Sequence, residues 1–228
     1  MDEQTHYPTS RYRISPFAQR QLMIRNQVSL ITSLDQFDDY PAPFSQLNAL
    51  VTGRLVNNAL PEHAEQRLLN LRTAVAFITS SPQGFDLLTF GHINDLVTEG
   101  IGLNGGELRQ TSLVRLTNTE VQLPLPEATK VAKDLLDLRL RHTDYTDRAL
   151  HVLAYILRRQ LYTDGNTATA FLVANHLLAK RGAGLLLVQP QDWADFMRVL
   201  DSFYHDLSDE PLCQWLYAHA LFGPEDLV

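Results

Sequence analysis

The chain has 228 residues, of which 45% are hydrophobic and 20% charged, and its formal net charge at pH 7 is -7. This length allows one domain of ordinary size with at most a small extension, and the hydrophobic fraction is sufficient for a large core. The negative charge argues against a nucleic-acid-binding protein, which neutralises phosphates with cations. The single cysteine, Cys213, excludes an internal disulfide and is typical of a reducing compartment.

The N-terminal sequence MDEQTHYPTS is acidic and polar, and it lacks the basic and apolar regions of a signal peptide. No uncharged apolar run approaches the ~20 residues that a helix needs to cross a bilayer. We therefore expect a cytoplasmic protein that does not use a membrane as a partner.

Most of the chain has a helical pattern. Residues 1–14 predict a flexible arm, and Ser15-Pro16 predicts a helix that runs to about Leu34, because Ser caps a helix and Pro suits its first position. After a connector at 35–43, helices are predicted at about 44–57, 61–80, 87–98, 127–141, 145–161, 166–180, 190–207 and 211–222. We expect residues 1–43 to form the arm and a first helix, and residues 44–228 to form one domain.

One segment has a β-like pattern instead. Short apolar runs at 113–116 and 121–123 flank the polar tripeptide Thr117-Asn118-Thr119, and prolines follow the second run. Two such runs around a short polar turn predict a β-hairpin, here at about 109–123.

The most apolar stretch of the chain lies at 153–182, where residues at helical spacing flank a break at 163–166. Asp, Gly and Asn in this break are turn formers, so the pattern predicts a helix, a tight loop and a second helix that ends at Gly182. The amides at the start of a helix form an anion site. Gly165, Asn166 and Thr167 are therefore candidate phosphate-binding residues.

This stretch resembles the core of the Fic (Fido) family, whose members mostly transfer AMP from ATP to protein hydroxyls. The family motif is HPFxxGNGRxxR, often with an acidic residue before the first Gly, and residues 160–171 of this chain are QLYTDGNTATAF. The aromatic-x-Asp-Gly-Asn centre is kept, but Gln160 stands at the catalytic His, and Ala168 and Phe171 stand at the two Arg. The resemblance implies an all-α Fic-like fold with one small β-hairpin flap.

The predicted hairpin adds to the resemblance. Fic proteins carry a flap upstream of the motif, and the sequence Gly-Gly-Glu-Leu-Arg at 105–109 followed by Val-Arg-Leu at 114–116 is similar to it. In the family, the edge of the flap adds a strand to the target segment through main-chain hydrogen bonds. The resemblance therefore implies Gly106, Arg109 and Val114 as target-docking residues and a protein as the partner.

Residues 52–57, TGRLVN, resemble the inhibitory helix of the family, which has the pattern [Ser/Thr]-x-x-x-Glu-[Gly/Asn]. The resemblance places Thr52 and Asn57 in such a helix, with Val56 in place of the Glu. In the family this Glu pairs with the second Arg of the motif. We therefore expect Val56 and Phe171 to lie in contact and Phe171 to plug the space of a nucleotide phosphate.

By resemblance, ATP and Mg²⁺ are the expected ligands, and Asp164 is the magnesium residue. One carboxylate needs phosphate oxygens and waters to complete a magnesium site. An Asp that bonds its own turn is an equal alternative. Since Ala168 and Phe171 offer no guanidinium groups, nucleotide binding is expected to be weakened.

Gln160 decides the expected function. An amide has no pKa near neutrality, so it cannot serve as a general base. The favoured hypothesis is a pseudoenzyme that binds a protein or a ligand. The alternative is an active Fic-type transferase that moves AMP to a protein hydroxyl with another base, such as His151, or one lent by a partner.

A third alternative is a structural or regulatory subunit without a ligand. The eight histidines show no metal-ligand spacing that predicts a zinc site. The sequence leaves the target, the nucleotide and the oligomeric state open.

Overall fold

A computed structural model describes residues 7–54, 60–80, 84–116 and 119–226. Within these ranges the chain forms the helices α1 (Pro16–Arg25), α2 (Gln27–Asp35), α3 (Phe44–Val51), α4 (Glu62–Ser80), α5 (Leu87–Thr98), α6 (Ala128–Arg141), α7 (Tyr145–Arg159), α8 (Asn166–Ala179), α9 (Trp193–His205) and α10 (Glu210–Trp215). The short strands are β1 (Leu113–Leu116), β2 (Thr119–Gln122), β3 (Leu185–Leu186) and β4 (Leu221–Phe222). None of the described helices combines the length and apolar character needed to cross a membrane.

Helices α7 and α8 pack against each other at the centre, with α4 and α5 against α8. The predicted central pair is therefore confirmed. Asp144 caps α7 by accepting hydrogen bonds from the amides of Thr146 and Asp147. Helix α8 is apolar on all sides, and residues 170–174 are each 0% exposed, because a helix without a polar face is stable only inside a core.

The N-terminal part differs from the sequence prediction. The first helix is divided at Asn26, whose side-chain amide donates to the Leu22 carbonyl at 2.9 Å. The arm expected to be flexible is bonded to α7 from Tyr7 onward, since the Tyr7 hydroxyl donates to Asp147 and the Ser10 hydroxyl to Asp144. Helices α1 and α2 also contribute to the core that surrounds α8.

The predicted helix at 44–57 ends early, at Val51. Gly53 has a φ of 70°, its amide donates to Leu50, and the Arg54 amide donates to Ala49 at 2.9 Å. These two bonds form a Schellman motif, in which a glycine in the left-handed region closes a helix. Thr52 is thus the C-cap of α3, and the other proposed inhibitory-helix residues, Val56 and Asn57, lie outside the described residues.

The predicted hairpin is confirmed, because β1 and β2 pair antiparallel with Val114 opposite Val121. A second antiparallel pair, β3 with β4, was not predicted. The expected last helix is therefore shorter than predicted. Helix α10 ends at Trp215, a π-helical turn follows at Leu216–Ala220, and β4 takes the place of the predicted helix end. Strands of two residues are too short to show an alternating pattern in the sequence.

Candidate active site

The loop between α7 and α8 begins at Gln160, which has φ 46° and ψ 66°. This left-handed conformation is unfavourable for any residue with a side chain, and it occurs where neighbouring contacts impose it. The Gln160 side-chain amide donates to the Leu157 carbonyl at 2.7 Å, and the Tyr204 hydroxyl also bonds to this side chain. The residue is 7% exposed. Its amide is therefore occupied by the protein and cannot accept a proton near neutral pH.

Arg109 fixes the end of α7 to the flap. Its Nε atom donates to the Gln160 carbonyl at 2.6 Å, and its terminal nitrogens donate to carbonyls of Thr111 and Pro124. Its main-chain amide donates to Leu161 at 2.9 Å. Burial lowers the pKa of this guanidinium, which is 3% exposed. Arg109 therefore positions the flap, and its part in docking a target stays a prediction.

Two asparagines shape the loop. The Asn166 side chain accepts from the Tyr162 amide at 2.9 Å and donates to the Tyr162 carbonyl at 2.8 Å. Asn94 of α5 donates to the Asp164 carbonyl and accepts from the Gly106 amide, both at 2.9 Å. Asn94 thus joins the loop to the segment before the flap. The sequence analysis missed it, because no local pattern links a position on α5 to a loop 70 residues later.

Gly165 allows α8 to start where it does. Its φ is 69°, and a Cβ atom here would lie 2.9 Å from the Thr98 Cγ2 atom. Any other residue would be strained and would collide with α5. Helix α8 starts directly after this glycine, and the first amides of a helix have no partner within it. Anion binding at Gly165, Asn166 and Thr167 stays a prediction that rests on these amides.

A cleft of about 490 Å³ lies in front of this helix start. Its walls come from the loop, from β1 and from the facing helices, and include Phe37, Asp38, His63, Arg67, Val114, Arg115, Gln160, Asp164, Gly165, Asn166 and Thr167. The structure therefore brings the predicted motif residues together with Val114 of the flap. Gly106 packs closely against Gly91 of α5, since a Cβ atom on Gly106 would lie 2.8 Å from the Gly91 carbonyl oxygen. This close packing holds the segment before the flap in place.

Phe171 does not line this cleft. It is 0% exposed, and its ring centroid lies 5.3 Å from that of Phe37 and 5.9 Å from that of Phe196. Phe171 therefore lies in the core beside the cleft, and its role as a plug of the phosphate space stays a prediction. The aromatic residues Phe37 and Tyr162 line the cleft. The expected contact with Val56 lies outside the described residues.

The charges of the cleft are paired. Arg67 lies 2.8 Å from both Asp35 and Asp38, and Arg115 lies 3.5 Å from Asp39. The Asp164 carboxylate is exposed and accepts from the Leu103 amide at 3.3 Å. A triphosphate would have to displace aspartates from both arginines. The two arginines are therefore not free to hold a triphosphate, and the binding of ATP and Mg²⁺ stays a prediction.

His151, the alternative base suggested by the sequence, does not line the cleft. It lies at the middle of α7, with Nε2 3.0 Å from the Tyr7 hydroxyl oxygen. Burial and the neighbouring His142 lower the pKa of this imidazole. His151 therefore lies outside the cleft, and its role as the alternative base stays a prediction.

Comparison with known proteins supports the same fold. A model of the Fic/DOC family matches residues 84–178, and no curated protein shows significant sequence similarity to the chain. Among solved structures, Fic-1 from C. elegans has a TM-score of 0.70 and 17% identity, over 90% of this chain and 63% of that one.

Two bacterial structures are equally similar. A Fic domain containing signaling protein from Bacteroides thetaiotaomicron has a TM-score of 0.71 and 12% identity, over 90% of this chain and 85% of its own. A Fic family protein from Desulfovibrio desulfuricans has a TM-score of 0.69 and 14% identity, over 93% and 74%. Such low identities establish the fold alone, which is the expected helical Fic-like fold with a small hairpin.

Proposed function

We propose that this chain, whose residues 84–178 match a model of the Fic/DOC family, is a catalytically degenerate member of that family that acts by binding a protein segment at its flap. The observation that carries the proposal is Gln160. Its amide stands where the family has the catalytic His and is bonded to the Leu157 carbonyl at 2.7 Å. General-base catalysis commonly contributes about 100- to 10,000-fold to a rate, and an amide cannot supply it.

The flap supports the binding role. Among the described residues, β1 pairs with β2 only, and Leu113, Val114 and Arg115 of β1 line the cleft. An unpaired strand edge can add an extended segment through main-chain hydrogen bonds. Leu113 is 49% exposed, so an apolar side chain is available to the added segment.

The catalytic half of the proposal is tested by incubating the protein with radiolabelled ATP, Mg²⁺ and cell lysate. We expect labelling of proteins at background, because Gln160 cannot act as a base and both arginines of the cleft are paired. Gln160→His is expected to remain inactive, since Ala168 and Phe171 still leave the triphosphate unheld. Labelling by the unmodified protein well above a heat-treated sample would overturn the proposal.

Labelling by the unmodified protein would establish the alternative of an active transferase. The residue that acts as its general base would then have to be identified. His63 lines the cleft and is the imidazole to examine first. In an active transferase that uses it, His63→Asn would lower the labelling by at least ~100-fold. The exposed His205 provides the matched control through His205→Asn.

The binding half is tested by placing a photo-crosslinking amino acid at Leu113. The control carries the same group at Leu207, which is fully exposed and lies outside the cleft. We expect the photo-crosslinking group at position 113 to give one discrete crosslinked protein in cell lysate. Replacing the central residue of the partner's added strand with Pro should abolish this crosslink. Equal crosslinking from both positions would contradict a docking role for the flap.

A further inference from the structure

A second group of chemically active side chains lies at the opposite end of α7 from the cleft. Asp147 and His151 are four residues apart on this helix, so their side chains share one face. His142 precedes the helix, and its Nδ1 atom lies 2.7 Å from Asp147 Oδ2, while His151 Nε2 lies 3.3 Å from Asp147 Oδ1. Both imidazoles therefore present a nitrogen to the same carboxylate.

The three side chains are also close enough to share one ion. The two imidazole rings are stacked with centroids 3.8 Å apart, and one ligand atom from each of the three residues lies within 4.8 Å of the others. Ligands of a tetrahedral zinc ion with bonds of about 2.0–2.1 Å are separated by roughly 3.3 Å. Small rotations of the three side chains would bring their ligand atoms from within 4.8 Å of one another to this separation.

The surroundings resemble those of a bound ion. The side chains of His142, Asp147 and His151 are only 21%, 12% and 13% exposed. The Tyr7 hydroxyl donates to Asp147 Oδ1 at 2.7 Å, and the Cys213 sulfur lies 3.8 Å from His151 Nδ1. In metal sites, such outer partners orient the ligand carboxylate and engage the second nitrogen of a ligand histidine.

We propose that His142, Asp147 and His151 bind one divalent transition-metal ion of the zinc type, with water in the remaining position. Two imidazoles and a carboxylate are a common ligand set for such ions. The site is separate from the cleft, because none of its three residues lines the cleft, and His151, the nearest in sequence, is nine residues before Gln160, which corresponds to about 14 Å along α7. Since Tyr7 holds Asp147, the ion ties the N-terminal arm to the start of α7.

The test uses the untagged full-length chain, stripped with a chelator and titrated with ZnCl₂ by calorimetry. We expect one zinc ion per chain and at least a tenfold loss of affinity in His142→Gln and in His151→Gln. His205→Gln is the matched control, because His205 is exposed on α9 and outside the cluster. Zinc should also raise the melting temperature of the wild type and of this control, but not that of His142→Gln.

A second measurement does not depend on the folding of any variant. Co²⁺ added to the unmodified chain should produce the visible ligand-field absorption of a low-coordinate site, and an equimolar addition of Zn²⁺ should remove it. No zinc binding, no cobalt spectrum, or equal zinc affinity in His142→Gln and the wild type would each overturn the proposal. The cluster would then be a hydrogen-bonded clamp on the arm.

Discussion

Gln160 and Tyr162 lie two positions apart, and each carries an energetically unfavourable feature. Gln160 has a left-handed backbone, and the Tyr162 hydroxyl is buried without a hydrogen-bond partner among the described residues. Burial accordingly raises the pKa of the Tyr162 phenol. Unfavourable local features of this kind concentrate where a fold has been selected for a site. In this protein the feature persists although the chemical group that the family uses is absent.

Removing the Tyr162 hydroxyl tests whether this buried group destabilises the fold. Tyr162→Phe should raise the free energy of unfolding by ~1 kcal/mol, because a buried hydroxyl without a partner costs about 1–3 kcal/mol. The matched variant Tyr155→Phe should lower it, since the Tyr155 hydroxyl donates to Asp134 at 3.0 Å. Urea unfolding followed by circular dichroism measures both. A destabilised Tyr162→Phe would show that the hydroxyl has a partner, such as a buried water.

At the scale of elements, turns with a glycine in the left-handed region set the ends of two helices. Gly53 closes α3, and Gly165 precedes α8. A Cβ atom on Gly53 would meet nothing within 4 Å, whereas one on Gly165 would lie 2.9 Å from Thr98 and 3.0 Å from Val97. The first glycine is therefore required by its backbone alone, and the second by its backbone and by the packing of α8 against α5.

The two glycines provide a matched comparison. Gly53→Ala should lower the free energy of unfolding by ~1–2 kcal/mol, which is the cost of a left-handed residue with a Cβ atom. Gly165→Ala should lower it by at least ~1 kcal/mol more, because α5 must also shift. Guanidinium unfolding of the two variants side by side gives the difference. Equal effects would mean that α5 and the loop adjust without cost.

At the scale of the whole molecule, the core is built around α8. Phe171 joins this helix to Phe37, which follows α2, and to Phe196 of α9, with ring centroids 5.3 and 5.9 Å away. Aromatic pairs at such distances add about 0.5–1.5 kcal/mol to the burial of their surfaces. Phe171 is thus part of the hydrophobic core.

Because Phe171 lies in the core, replacing it with a charged residue should have a large effect on the free energy of unfolding. Phe171→Arg should destabilise the protein by ~3–5 kcal/mol, because the guanidinium would be buried without a partner. Phe171→Leu, which keeps an apolar side chain, should cost less than ~2 kcal/mol. Thermal and urea unfolding of the two variants test the contrast, and a stable Phe171→Arg protein would show that the arginine can reach the cleft.

The coupling of Phe171 with Val56 stays a prediction. Adding Val56→Glu to Phe171→Arg should recover at least ~0.5 kcal/mol beyond additivity if the two side chains meet, as the Glu and the Arg do in the family. Strictly additive changes in the free energy of unfolding would contradict the proposed alignment of residues 52–57 with an inhibitory helix.

The sequence by itself determined the elements whose information is local. The apolar spacing on both sides of residues 163–166 predicted α7 and α8, and the two short runs around 117–119 predicted the hairpin, because periodicity and turn residues act within a few positions. The sequence also indicated directly that residue 160 cannot act as a general base, since the amide of Gln160 does not titrate near neutral pH whatever surrounds it.

Only the tertiary structure decided which side chains meet. Asn94, Arg109 and the group of His142, Asp147 and His151 acquire their roles through contacts with residues elsewhere in the chain, and the Asp147–His151 spacing alone did not reveal His142 or Tyr7. Such contacts depend on how whole helices pack, and helical periodicity specifies only which face is buried, not what it is buried against. For the same reason the sequence did not reveal that Phe171 packs against Phe37 and Phe196.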